Sequence, residues 1–226
     1  FKATTFIDAT GDADLAYMAG CPIQLGRESD NRCQPMTLCF RVVNVDTVNW
    51  DRDGIQKLYK ELQAKGKIKN PRENVLMFFV PHKNVVHFNS TRVIKHNPVD
   101  PLELSKAEAL AREQMLELFT MLKENFVAFK DATLFNSGIS IGVRESRMII
   151  GKHVLNETEL KDCVKFEDRI AAGNYDIDIH SPDGSGTSHY YFPEGQYYTI
   201  PYRSLIPQKI NNMLVAGRCI SSTHEA

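Results

Sequence analysis

The chain has 226 residues, room for one large domain or two small ones, and its 42% hydrophobic and 24% charged residues are the balance of an ordinary soluble globular protein. A net charge of −1 gives no electrostatic case for nucleic acid or an anionic membrane as partner, and no apolar run approaches the roughly 20 residues of a membrane helix. Five scattered cysteines (Cys21, Cys33, Cys39, Cys163 and Cys219), with no Cys-x-x-Cys pair, read as free, mostly buried thiols rather than a disulfide framework, a metal site or an iron–sulfur cluster.

In chain order, residues 6–10 form an extended apolar segment that meets Gly11, whose backbone turns tightly and admits close approach. An Ala/Leu-rich helix follows. Asp12 and Asp14 fall at its start, where free N–H groups and the helix dipole favour negative charge. Open α/β folds bind ligands at the carboxyl ends of strands, although a single glycine turn reads, alone, as an ordinary strand-to-helix junction. A polar loop spans 26–34. Residues 36–43 alternate and predict a strand. Residues 53–64 carry Ile55, Leu58, Tyr59 and Leu62 at helical spacing. Residues 75–80 and 84–90 predict two paired strands. Asp100 as N-cap, Pro101 at the first helical position and Glu103 closing a capping box then start a helix predicted to run to about residue 128. Its stripe from Leu104 to Phe126 reads as core packing.

Ile139, Ile141 and Val143 predict one face of a strand, opposite Ser140, Gly142 and Arg144. Arg144, Glu145 and Arg147 follow closely. Guanidinium forks match carboxylates and phosphates, but on spacing alone the favoured reading is a structural Arg–Glu bridge at a strand end. Residues 157–172 predict two short helical pieces, 176–180 a strand, and 181–188 a flexible loop with no phosphate-loop pattern. Aromatic strands follow at 190–192 and 197–203. A second short apolar run, 213–216, again ends at a glycine, Gly217. Two strand–glycine junctions, one near each terminus, predict neighbouring strands of one sheet whose other partners are missing. The chain therefore reads as a fragment of a larger protein, and the lack of a leader pattern says nothing of localisation.

Six segments together carry a resemblance: Ile-Asp-Ala-Thr-Gly-Asp-Ala-Asp-Leu-Ala (7–16), Gln-Pro-Met-Thr (34–37), Gly-Val-Arg-Glu-Ser-Arg (142–147), Ile-Asp-Ile-His (177–180), Ile-Pro-Tyr-Arg-Ser-Leu-Ile-Pro (200–207) and Leu-Val-Ala-Gly-Arg-Cys-Ile-Ser-Ser-Thr-His-Glu-Ala (214–226). Collinearly over essentially the whole chain, they resemble the bacterial FAD-dependent oxidoreductase family, glutathione-reductase-like flavoproteins related to the heterodisulfide-reductase flavin subunit. The expected fold is α+β. A mostly antiparallel substrate-domain sheet (21–201) should lie under the long helix. Residues 1–20 and 202–226 should supply part of a Rossmann-like FAD-binding α/β domain, whose Gly-x-Gly-x-x-Gly unit this chain lacks.

The resemblance implies that Ala9, Thr10, Gly11 and Asp12 pack against the adenosine and pyrophosphate side of FAD. It implies that Gly217 and Arg218 approach the ribityl and isoalloxazine part. The wider class often has Gly-Asp there, so the Gly217 backbone is the firmer contact. The implied reaction moves a hydride or electron pair between a small organic substrate and the flavin. Arg144, Arg147 and Arg203 are candidates to hold an anionic substrate, and His180 or Tyr202 to exchange a proton, with His224 a second acid–base candidate. Relatives can carry iron–sulfur clusters, which these cysteines do not support. The alternative expectation is a non-catalytic substrate-binding or interaction domain that does not itself bind FAD. Sheet edges left open by the missing unit favour association of two copies.

Overall fold

The structure is a computed structural model and describes residues 2–226. In chain order its elements are β1 (Phe6–Asp8), α1 (Asp14–Met18), β2 (Ile23–Leu25), β3 (Phe40–Val43), α2 (Arg52–Ala64), β4 (Met77–Phe79), β5 (Val86–Phe88) and α3 (Pro101–Asn125). They continue with β6 (Thr133–Ser137), β7 (Arg147–Ile149), α4 (Glu157–Lys161), β8 (Arg169–Gly173), β9 (Ile177–His180), β10 (Thr187–Tyr190), β11 (Tyr198–Pro201) and β12 (Met213–Val215). The fold is α+β. Pairing is antiparallel in the four-stranded sheet β4-β5-β3-β6 and in the pairs β2–β7, β8–β11 and β9–β10. The parallel pair is β1 with β12, in the register Phe6 to Met213 and Asp8 to Val215.

The largest core lies under the four-stranded sheet. Phe40 and Phe88, directly paired across β3 and β5, stack at 4.8 Å, and Ile55 and Tyr59 of α2 join them in one buried cluster with Ala107, Ala111, Leu118 and Leu122 of α3. Small residues on α3 let its axis come close to its neighbours, while Leu118 and Leu122 fill the space beyond. Asp100 caps α3 by accepting from the N–H groups of Leu102 and Glu103 at 2.9 and 3.0 Å. The capping box does not close, because the Glu103 carboxylate is drawn to His96 and Lys106.

Other expectations need correction. Residues 139–143 are not a strand. The strand lies earlier, at β6, and Ile139 is fully exposed in the loop after it while Ile141 turns into the core. Residues 157–172 hold one short helix, α4, and then the beginning of β8, which pairs with β11. The loop after β9 is short and pinned rather than flexible along 181–188, since β10 starts at Thr187.

Two smaller cores flank the sheet. One joins β1, β12 and α1 through Ala13, Ala16, Cys21, Ile149, Val215 and Cys219. The other packs Leu155, Leu160 and Ile177 against Phe166, Tyr190 and Tyr198. In the first, Asp8 is buried at the end of β1. Its carboxylate accepts from Ala16 N–H at 2.8 Å, Thr10 N–H at 3.1 Å and the Thr10 hydroxyl at 2.7 Å. One ionised group thereby ties strand, glycine turn and helix together. Burial alone would raise the Asp8 carboxyl, and these hydrogen bonds outweigh it and hold the group below its ordinary value of 3.8.

A carboxyl depressed in the fold stabilises the protein fully above its unfolded value, and that stabilisation disappears as pH falls below about 4. Asp8→Asn loses an acceptor that Ala16 N–H needs. It should cost about 1–3 kcal/mol at neutral pH and flatten the acid limb of stability, as read by urea unfolding at pH 7 and pH 3.

Candidate functional site

The site grows from the segment just ahead of β7. Glu145 and His224, 79 positions apart, are both buried and form a carboxylate–imidazole contact, with His224 Nδ1 at 2.8 Å from each carboxylate oxygen. Gln34 N–H donates to the same carboxylate at 2.8 Å. The chain after β12 is laid along residues 149–155 by backbone bonds, Ile149 N–H to Cys219 O, Leu155 N–H to Ser221 O and Thr223 N–H to Leu155 O. That track delivers His224 to Glu145. With Nδ1 committed to a carboxylate, Nε2 is the imidazole atom left for other work. The favoured reading of the 144–147 cluster, an Arg–Glu bridge, is therefore corrected: Glu145 pairs with a histidine from the far end of the chain.

His224 lines a cleft of 550 Å³ beside Gly26, Arg27, Ile149 and Val154. It also lines a smaller one of 250 Å³, together with Arg144, Glu145, Tyr198, Gly217 and Arg218. A third cleft, of 390 Å³, shares Gln34, Arg144, Leu160 and Tyr198 with the second. Arg144 thus stands where two clefts adjoin. Its one polar contact is to the Thr37 hydroxyl at 3.4 Å, and among the described residues no carboxylate pairs with it. Gln34 links this cation's surroundings to β9, because its side-chain oxygen accepts from His180 N–H at 3.2 Å.

The other proposed substrate-side residues lie elsewhere. Arg147 is bound to Asp14, donates to Asp12 O at 2.8 Å and covers the Tyr17 ring at 4.6 Å. Arg203 is paired with Asp168 at 2.9 Å, and Tyr202 is exposed beside it. His180 is buried and lines none of the three clefts described. Its Nδ1 lies 3.4 Å from Arg92 Nη1, and a guanidinium only donates, so Nδ1 accepts and the ring proton sits on Nε2, 3.5 Å from Asp178. Burial first, then the positive charges of Arg144, Arg92 and Arg72, push the imidazole down to about 4 against the opposing pull of Asp178, so it is neutral near pH 7.

Arg92 is the group that organises this side. It is almost wholly buried and donates to the carbonyls of Gly184 at 2.8 Å, Ser181 at 3.1 Å and Gly186 at 2.7 Å, with Glu73 at 3.7 Å. No sequence pattern marked it. From outside, Arg27 and Arg32 both clasp Asp183 of the same loop.

The two glycine turns meet. Gly11 has φ +85°, and a Cβ there would fall 2.9 Å from the Arg218 guanidinium, which itself donates to Asp12 at 2.7 Å. Gly217 has φ +90°, a conformation that disfavours any side chain, and open space above it. Cys219 lies buried beneath, its thiol donating to Ala216 O at 3.4 Å. Ala9 and Thr10 are exposed on the same turn, with the Thr10 hydroxyl committed to Asp8.

Two parallel strands end side by side in glycine turns, beside an antiparallel α+β body with adjoining clefts. The family model described as FAD dependent oxidoreductase matches residues 1–226, and the chain belongs to that family. No curated protein and no solved structure matches it. The residues present leave room for a flavin dinucleotide at Gly217, where nothing stands over the strand end, whereas Gly11 is covered by the Arg218 guanidinium that pairs with Asp12. Among the described residues, no group of three or more His, Cys, Asp or Glu side chains is placed to hold a metal ion, and no helix is long and apolar enough to cross a membrane.

Arg92→Met removes the guanidinium from the carbonyls of Ser181, Gly184 and Gly186, of which, among the described residues, only Gly186 keeps another donor, the Ser181 N–H, and takes that cation from Glu73. The variant should lose about 3–5 kcal/mol, or unfold locally, and become cleavable within 181–186 under limited proteolysis where the wild type resists.

Proposed function

We propose that this chain is the substrate-binding part, with a portion of the cofactor-binding part, of an FAD-dependent oxidoreductase acting on a small anionic substrate. The observation that supports this most is the 250 Å³ cleft in which Arg144, the Glu145–His224 pair and Gly217 share one wall. A cation for substrate, an imidazole held in one orientation and a bare strand end for cofactor there lie within a single small space. On this reading Gly11, Asp12, Gly217 and Arg218 hold FAD, with Ala9 and Thr10 at the rim of the same turn. FAD when bound supplies the two-electron redox chemistry.

The chain's own residues do the rest. Arg144, free of any carboxylate partner, takes the negative group of the substrate and orients it. His224 accepts or returns a proton at Nε2 while Glu145 fixes the ring and stabilises its charged form. Gln34 N–H holds the second carboxylate oxygen and so keeps Glu145 from rotating. His180, buried away from the clefts with Nδ1 held by Arg92 and the Thr187 hydroxyl, positions β9 rather than exchanging protons. Arg147 and Arg203, both neutralised by aspartates, act as structural ties.

The alternative, a binding or interaction domain without flavin, predicts no reduction of FAD by any substrate. Anaerobic bleaching of the flavin in the FAD-loaded protein separates the two. Arg144→Gln should raise KM by roughly 10–100-fold, as expected for losing a charged hydrogen bond, with kcat less affected. His224→Asn should lower kcat by about 10²–10⁴-fold and retain FAD. Wild-type rates in both variants would contradict the assignment.

A further inference from the structure

The 390 Å³ cleft carries a second charge that the proposed function does not use. Arg144 lines it, and so do Asp178, Glu225 and Asp176, the last paired with His189, with Leu160, Ile177 and Tyr198 supplying apolar wall. Opposite charges in one cleft ordinarily pair. Here no carboxylate lies within 4.0 Å of Arg144 among the described residues. Asp178 is also without a full cation. One of its carboxylate oxygens is buried and has no hydrogen-bond partner, with His180 Nε2 at 3.5 Å and His189 Nε2 at 3.7 Å. His180 is neutral near pH 7, and His189 gives its other nitrogen to Asp176 at 3.0 Å. The unpartnered Asp178 oxygen is closed to solvent, but the Asp178 side chain is 21% exposed and lines the cleft with its other atoms, and an unpaired guanidinium beside the same apolar wall is a ready anion site.

We infer that this cleft binds a small zwitterion of the amino-acid type, its carboxylate on Arg144, its ammonium on Asp178 and its carbon frame against Leu160, Ile177 and Tyr198. Both charges of such a ligand find a partner that the protein leaves open, whereas a simple carboxylic acid answers Arg144 alone. Separation of the two charges along the cleft sets whether an α- or an ω-amino acid fits. The inference rests on the proposed function only in taking Arg144 as the carboxylate anchor.

Calorimetry of this chain with a panel of L-α-amino acids and ω-amino acids tests it, each amino acid set against its desamino acid and its decarboxylated amine. At least one amino acid should bind about 10-fold or more tightly than both truncated analogues, the margin of one charged hydrogen bond. Asp178→Asn should abolish the preference over the desamino acid while leaving the desamino acid's affinity in place. Arg144→Gln should abolish the preference over the amine. The inference is overturned if no amino acid outbinds its desamino analogue, a result that wild-type protein alone can give should Asp178→Asn fail to fold. It is overturned equally if folded Asp178→Asn keeps the preference. Anaerobic flavin bleaching then separates the two claims. Preferred binding of a zwitterion with no bleaching by any panel member removes the oxidoreductase reading and leaves this one. Bleaching by desamino acids with no preference for zwitterions does the reverse.

Discussion

A buried carboxylate bound to an imidazole, Glu145 to His224, is the contact on which the site depends. Two ionisable groups taken out of water are costly unless each meets its partner closely and the remaining lone pairs are satisfied. Here Nδ1 meets both oxygens at 2.8 Å and Gln34 N–H takes one of them as well. The pair therefore does two things at once. It fastens the end of the chain to the segment before β7, and it leaves the imidazole with one nitrogen for the clefts. Loss of either partner would strand a charge or a donor in the interior, so the geometry is held by the cost of every alternative.

Around this pair the protein spends its other charges on fixing loops. Asp8 ties β1 to α1, Arg147 closes on Asp14, Arg218 bridges to Asp12, and Arg92 gathers the carbonyls of 181–186. These ties draw together glycine turns lying some 200 positions apart in sequence, Gly11 and Gly217. Within this economy Arg144 stands apart: it lines two clefts and lacks a carboxylate. Function is read from that contrast. On the proposed function Arg147 and Arg203, both paired with aspartates, are structural ties, and Arg144, beside a cavity with no carboxylate partner, is the substrate-binding group.

Much of the fold was legible. The helix from Arg52 follows from apolar spacing, and the helix from Pro101 from apolar spacing and from the capping Asp100 that the structure uses. The β1 and β12 runs were visible because each is short, apolar and closed by glycine, and their parallel pairing accords with that reading. The alternation of Ile139, Ile141 and Val143 misled, since a loop that crosses a core edge can turn alternate residues inward without forming a ladder. The site was legible only as a family pattern. Arg144, Arg147 and Arg203 carry the same charge in sequence, and what separates them is the presence of Asp14 or Asp168 nearby in space. Glu145 stood within a quoted motif, yet its partner lies 79 residues away, and no local spacing reveals such a contact. Arg92 left no signal, because a lone arginine after a strand is ordinary until its three carbonyl partners are seen.

The most direct measurement is the nitrogen-15 chemical shift pair of the His224 imidazole, recorded at pH 8.5 and assigned with His224→Gln. The account predicts that Nδ1 carries a proton hydrogen-bonded to Glu145 while Nε2 faces the clefts, and predicts that Glu145→Gln collapses this into a mixture of tautomers. A ring protonated at Nε2 alone in the wild type, or one unmoved by Glu145→Gln, would contradict it.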